Sequence, residues 1–259
     1  MGQVIAVGIR KGGVGKTTTS VNLAVILAQT YKEKVLLVDM DPQGHVSLSF
    51  SIRPKSLKKT IYDVFTEEAT IKDTIIKTDS KVDILPSNGE LANFDMLVID
   101  NKAIKNPSLW LKEIIDPLRE TYSKIVLDLP PSLSWLAVNS LSTADELIIP
   151  MQAEVFAESG VSDLLESVAD VQRTSNPNLK VSGILLTMFN ARTNLSSIIS
   201  QDIRKFADSQ GIRVFNTTIN RSVRFGEANL AGKPAVIFAP NNDAIKNYVE
   251  FVKELMNNG

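Results

Sequence analysis

Gln3-Val4-Ile5-Ala6-Val7-Gly8-Ile9-Arg10-Lys11-Gly12-Gly13-Val14-Gly15-Lys16-Thr17-Thr18 is the stretch that decides the fold. Its first seven residues form a short apolar run that reads as a buried strand. The glycines after it let the backbone curl with its N–H groups pointing inward, and Thr17–Gln29 reads as a helix. A strand, a glycine turn and a helix in that order make an anion cradle at the positive end of the helix. Lys16 then reaches the β- and γ-phosphates of a nucleotide, and the Thr17 hydroxyl ligates Mg²⁺. The plain alternative is a glycine-rich turn that ends in Lys-Thr by coincidence. Residue frequencies give such a string about once in 10⁶ positions, and this one also has the strand and the helix it requires. The ordinary pattern has glycine where Arg10 stands, so the loop is a variant with an additional lysine, Lys11.

A second buried-type strand, Lys34–Asp39, runs into Asp39-Met40-Asp41-Pro42-Gln43-Gly44. Two acids with one residue between them point to opposite sides of an extended strand. One can face the water at the γ-phosphate while the other braces the loop; a turn aspartate before Pro42 is the bland alternative. A third strand, Lys124–Asp128, closes on an acid before Leu129-Pro130-Pro131-Ser132, where an aspartate can hold a magnesium-bound water.

Further buried-type strands are expected at Glu146–Met151 and Val181–Phe189, with weaker candidates at Val82–Leu85, Arg213–Phe215 and Ala235–Phe238. Amphipathic stretches separate them at Thr17–Gln29, Leu109–Tyr122, Phe156–Arg173, Leu195–Ser209 and Asp243–Met256. Continuous apolar strands alternating with helices imply an α/β fold: a doubly wound, mainly parallel sheet with helices on both faces, Rossmann-like, of the P-loop NTPase kind. Residues 1–259 are expected to form one domain. The region 51–106 reads only as short helices and one strand.

Composition narrows the function. The chain has no cysteine, which removes disulfides, thiolate metal sites and iron–sulfur ligation and fits a reducing compartment. A single histidine, His45, rules out multi-histidine metal sites. The N-terminus lacks a basic leader, and no run approaches the ~18 apolar residues that cross a bilayer. The net charge is −1, but between Asn190 and Gly226 six bases face only Asp202 and Asp208, a local balance of +4 against −5 elsewhere. A basic segment on an acidic protein points to an anionic partner. Most surface arginines are nonetheless solvated or paired, and Arg204 and Lys205, following Asp202, are expected to decorate a helix face.

Together these strings resemble the ParA/Soj/MinD family of deviant Walker-A ATPases, most closely the short ParA/Soj branch that segregates plasmids and chromosomes. The resemblance rests on Lys11–Thr19, Val35–Gly44, Leu127–Ser132, Leu185–Asn194 and Asn220–Ala228, and it covers nearly the whole chain, thinly across 51–106. It implies a cytoplasmic, nucleoid-associated ATPase using ATP and Mg²⁺ that forms an ATP-dependent homodimer and binds double-stranded DNA nonspecifically. A ParB-like centromere-binding protein would stimulate hydrolysis. By resemblance, Lys11 reaches across the dimer to the partner's phosphates. Gly12, Gly13, Val14, Gly15, Lys16, Thr17 and Thr18 hold the nucleotide, and Asp41 orients the attacking water. Asp128 is the Walker-B acid acting on the metal through a water. Arg192 and Arg224 match arginines used on DNA, with Arg221 beside them. The chain departs from the family at His45, usually asparagine, at Arg10, usually glutamine, and at Asn220, usually a proline near the adenine. No helix-turn-helix extension precedes the loop, which argues against operator-specific binding.

Other readings make demands that the sequence does not meet. A MinD-like membrane-cycling ATPase needs a basic amphipathic tail. The last helix instead lines up Ile245, Tyr248, Val249, Val252, Leu255 and Met256, and its charges Lys246, Glu250, Lys253 and Glu254 cancel, so it is expected on the core. A P-loop metabolic ligase or synthetase needs a substrate pocket that no string suggests. A nitrogenase-reductase-like protein needs cysteines.

Overall fold

The computed structural model describes residues 1–100, 105–132, 134–154, 157–190 and 194–257. Among the described residues seven strands form one sheet: β1 Gln3–Val7, β2 Val35–Asp39, β3 Ile76–Lys77, β4 Val82–Leu85, β5 Lys124–Asp128, β6 Glu146–Gln152 and β7 Lys180–Thr187. Their order is β3-β4-β2-β5-β1-β6-β7. All neighbours are parallel except the short edge pair β3–β4. The helices are α1 Lys16–Gln29, α2 His45–Leu48, α3 Ile61–Phe65, α4 Ile71–Thr74, α5 Phe94–Asp100, α6 Trp110–Ile115, α7 Trp135–Thr143, α8 Ala157–Thr174, α9 Asn194–Ser209, α10 Arg224–Leu230, α11 Ala235–Phe238 and α12 Asp243–Asn257. The expected doubly wound α/β architecture is present.

Strand alternation divides the core. Val4, Ala6, Leu36, Val38, Ile125 and Leu127 face one layer, with α5 to α9. Ile5, Val7, Leu37, Val126 and Ile148 face the other, with α1 and α12. Helix α1 is buried almost all round, from Thr19 to Ala28, rather than amphipathic as expected, because α11 and α12 cover its outer side. In α12 the buried residues are Ala244, Ile245, Tyr248, Phe251, Val252 and Leu255, whereas Val249 stays 38% exposed. Exposing the side chains of Ile245, Phe251, Val252 and Leu255 would cost about 6–12 kcal/mol, comparable to a whole domain's stability. This helix is therefore committed to the core and unavailable to lipid.

Three expectations are corrected. Ala235–Phe238 is a helical turn, not a strand: Pro234 starts it, and the Val236 N–H donates to the Asn22 side chain of α1 at 2.9 Å. Leu109–Tyr122 is not one helix, because Pro117 cannot supply the next N–H and α6 tightens into a 3₁₀ turn over Asp116–Glu120. Arg213–Phe215 contributes a single parallel bridge, Ile184 to Val214, at the edge of β7.

Candidate nucleotide site

The register aligns the carboxyl ends of three central strands: Val7 pairs with Asp128, and Asp39 pairs with Asp128. The chain leaves β1 for β2 on one side and later adds β6 on the other. The loop after β1 therefore emerges at the switch point where doubly wound sheets open a crevice. Gly13 and Gly15 have φ of 76° and 84°, which side-chain-bearing residues rarely adopt, and this turns successive N–H groups into the crevice. Val14, between them, is buried, and its carbonyl accepts from the Thr187 hydroxyl at the end of β7 at 2.8 Å. The loop is thus fastened to the sheet on its far side.

Lys16 is only 7% exposed, and its Nζ donates to the Lys11 carbonyl at 2.8 Å. Burial lowers its pKa, while Asp128 and Asp41 pull it back up. Thr17 Oγ1 donates to Asp128 Oδ2 at 2.7 Å. Ser20, one turn along α1, donates to Asp128 Oδ1 at 2.8 Å, with the Lys16 carbonyl as alternative acceptor at 3.1 Å. Burial pushes Asp128 up to about 6, opposed by the Thr17 and Ser20 hydroxyls, with Asp41 pushing up and Lys16 pulling down.

The two acids of the Asp39–Asp41 pair lie in different surroundings. Asp39 is fully buried; Oδ1 accepts the Asp41 N–H at 3.0 Å and Oδ2 the Val46 N–H at 3.1 Å. Burial, then the carboxylate of Asp128, holds its pKa well above the usual range. Asp41 instead lines the crevice, with Oδ1 accepting the Gln43 N–H at 2.9 Å and its carbonyl accepting from Ser87. Asp39 braces the loop that presents Asp41.

Gly12, Gly13, Gly15, Lys16, Thr17, Thr18 and Asp41 share one cavity of about 560 Å³ with Gln43, His45, Pro131 and Asn229. A second chamber of about 280 Å³ meets it through Gly15, Thr18, Met188 and Asn229 and is walled by Ile219, Asn220, Arg221, Phe225 and Tyr248. The two chambers thus form one cleft, with the phosphate loop in the first and a second of a size suited to a base. The donor set fits ATP with magnesium: inward loop amides, a buried lysine, and a threonine hydroxyl beside a buried carboxylate.

The remaining expected site residues are dispersed. Lys11 sits at the lip and pairs with Glu154 at 2.8 Å, outside the cleft wall, while Arg10 pairs with Asp163. Arg224 pairs with Glu227 at 2.7 Å on α10. Arg192 lies outside the described residues. Of the other bases in the +4 segment, Arg204 does not decorate a helix face: it clamps the carbonyls of Val214 and Phe215. Arg213 is tied to Ser182 O and stacks on Phe215. Sequence reasoning missed Ser20, whose one-turn offset from Lys16 is a detectable signal, and Ser87, which lies in no quoted string; Met188 and Phe225 lie within strings that carry the resemblance but were assigned no role there.

A glycine loop at the switch point, a buried lysine and a threonine–aspartate pair define a P-loop nucleotide hydrolase. A family model described as an AAA domain matches residues 2–181. The chain is 36% identical to the sporulation initiation inhibitor protein Soj of Bacillus subtilis, over 100% of both chains. It is 29% identical to the crystal structure of cobyrinic acid a,c-diamide synthase from Mycobacterium smegmatis with bound ATP analog and magnesium, covering 99% of this chain and 95% of that one, with a TM-score of 0.86. A plasmid partition protein from Borrelia burgdorferi is 28% identical over 100% of this chain and 99% of its own, with a TM-score of 0.77. The chain belongs to the ParA/Soj family of partition ATPases. It is an ATPase that uses ATP and Mg²⁺.

Proposed function

We propose that the chain acts as one ATPase domain that switches DNA attachment on with ATP and off with hydrolysis, in the cytoplasm on the nucleoid. The observation that carries this is the placement of Asp41: 9% exposed, in the cleft wall, on a loop braced by Asp39 and set beside Lys16 and Thr17. The unity of the domain is supported by a sheet built from residues 3 to 187 and by α12 returning to α1.

In this account the loop amides from Gly12 to Thr18 and the Lys16 ammonium hold the phosphates. Thr17 and, through a water, Asp128 would hold a magnesium ion, which would supply charge neutralisation at the phosphates. Asp41 accepts a hydrogen bond from the attacking water and turns its lone pair toward phosphorus. Lys11 leaves Glu154, an exposed pairing worth little, and enters the cleft of a second copy, so ATP favours a dimer. The dimer doubles the arginines offered to duplex phosphates, Arg224 and Arg221 with Arg192, and a ParB-like protein accelerates hydrolysis. No described helix is long and apolar enough to cross a membrane, and α12 is held in the core.

The test is Asp41→Ala. Water positioning acts in the transition state, whereas ground-state affinity rests on Lys16 and the loop. The variant is expected to bind ATP as the parent does, to lose turnover, and to remain dimeric on DNA; turnover at the parent rate would remove Asp41 from this role. The likeness to the Mycobacterium smegmatis synthase favours a ligase as second reading. Hydrolysis raised by a metabolite carboxylate with an amine, and not by DNA, would support that instead.

A further inference from the structure

Residues Arg53-Pro54-Lys55-Ser56-Leu57-Lys58-Lys59 carry four bases and no acid within seven positions. All four side chains are exposed. Lys59 has a long contact to Asp73 at 3.5 Å. Among the described residues, Arg53, Lys55 and Lys58 have no carboxylate within 4.0 Å. In a chain of net charge −1, four bases within seven positions whose one ion pair among the described residues is that long contact form a dense, largely unneutralised run.

The run is held in a defined place. Ile52 N–H donates to Ser47 O of α2 at 3.0 Å, and Ile61 N–H donates to Pro86 O at 2.9 Å, so both ends are pinned. Between them a 3₁₀ turn over Pro54–Ser56 is closed by Ser56, whose N–H and hydroxyl both donate to Arg53 O. The Pro54 ring packs against Gly44, where an added Cβ would meet it at 2.8 Å. The turn therefore rides on the segment from Asp41 to Leu48 that walls the nucleotide cleft.

It also meets the C-terminal half of the chain. Ser51 Oγ donates to Gly232 O at 3.0 Å, which brings the exposed Lys233 beside the turn. Gly232 follows α10, the helix that begins at Arg224, and seven helical residues span only about 10 Å. Arg224 and Lys233 thus bracket one short helix, and the Ser51–Gly232 bond ties the 53–59 turn to the far end of that helix.

We infer that the Arg53–Lys59 turn is a contact surface for the phosphate backbone of duplex DNA, in addition to the Arg221–Arg224 surface. The inference rests on the DNA-switch function proposed above. Flexible lysines without fixed carboxylate partners act as point charges that follow a phosphate backbone without reading bases. The turn has no aromatic side chain on which a single strand could stack. Because it is seated on the Asp41–Leu48 segment, the turn also gives bound DNA a mechanical link to the nucleotide.

The experiment compares the parent, Arg53→Gln/Lys55→Gln/Lys58→Gln, Lys55→Arg/Lys58→Arg, and Arg221→Gln/Arg224→Gln. Binding of a fluorescent mixed-sequence duplex is measured with ATP over a series of salt concentrations. The triple variant is expected to hydrolyse ATP without DNA at the parent rate and to lower the log–log salt slope by about 0.9 per lost contact, up to about 2.7. The arginine-for-lysine variant should keep the parent slope. A parent slope in the triple variant overturns the inference; if the Arg221/Arg224 variant has meanwhile lost slope, the DNA switch itself stands. A parent with no ATP-dependent DNA binding overturns both. A triple variant unchanged on DNA but no longer stimulated by a partner protein would assign the turn to that protein and overturn the inference as well.

Discussion

Replacing Ser20 by alanine removes one of two hydroxyls that donate to a carboxylate with no exposure to water. The Ser20 Oγ to Asp128 Oδ1 bond is 2.8 Å long, and Asp128 is already raised to about 6 by burial. A hydrogen bond to a charged group is worth about 1.5–3 kcal/mol, and 1.36 kcal/mol corresponds to one pKa unit, so the loss lifts Asp128 by about one to two further units. Ionised Asp128 is the form that can orient a magnesium-bound water. In the magnesium-free parent Asp128 should therefore take up its proton as pH drops through about 6. In Ser20→Ala that uptake should occur about one to two units higher. Stability follows the same sign. A carboxyl whose folded pKa lies above its ordinary value stabilises the fold while protonated and loses that contribution as pH rises through the folded pKa. The variant should match the parent closely in urea at about pH 5 and be about 1.5–3 kcal/mol less stable at about pH 8. Urea midpoints of the magnesium-free proteins across that range decide the matter. The same pH dependence of stability in both proteins would refute the claim that Ser20 keeps Asp128 ionised.

Two further outcomes are expected. Lys16→Ala should abolish ATP binding in calorimetry, since the cleft loses the buried cation flanked by Asp128 and Asp41; parent affinity would contradict the phosphate assignment. Lys11→Ala should bind ATP but fail to shift from monomer to dimer in light scattering, because the lip lysine points away from its own cleft toward Glu154; a variant that still dimerises would contradict the trans role.

The central strands and the phosphate loop were legible in sequence because each announces itself locally. Buried parallel strands are continuous apolar runs, and the loop needs glycine where φ is positive, at Gly13 and Gly15. The pairing of Asp39 with Asp128 was legible only as two strands that each end in an acid; their register is a property of the sheet. Ala235–Phe238 misled because four apolar residues carry no period, and their helical turn is fixed by contact with α1, more than two hundred residues earlier. Val249 and Phe251 exchanged places because the helix stripe is wide, and neighbours settle its edges: Phe251 meets Phe215 edge-on at 4.9 Å. The basic segment was read as one patch, yet Arg204 and Arg213 are consumed holding the Val214 bridge. Charge along a chain does not distinguish a clamp from a free surface. The 53–59 turn escaped notice for the converse reason, since its bases gain meaning only from lying beside Gly232.

The most direct test of the account is the affinity of the parent protein for a mixed-sequence DNA duplex measured with ATP and Mg²⁺, with ADP and Mg²⁺, and without nucleotide. Tight, strongly salt-dependent binding with ATP alone, and weak binding of shallower salt slope in the other two states, is the predicted result. Equal affinity in all three states would contradict it.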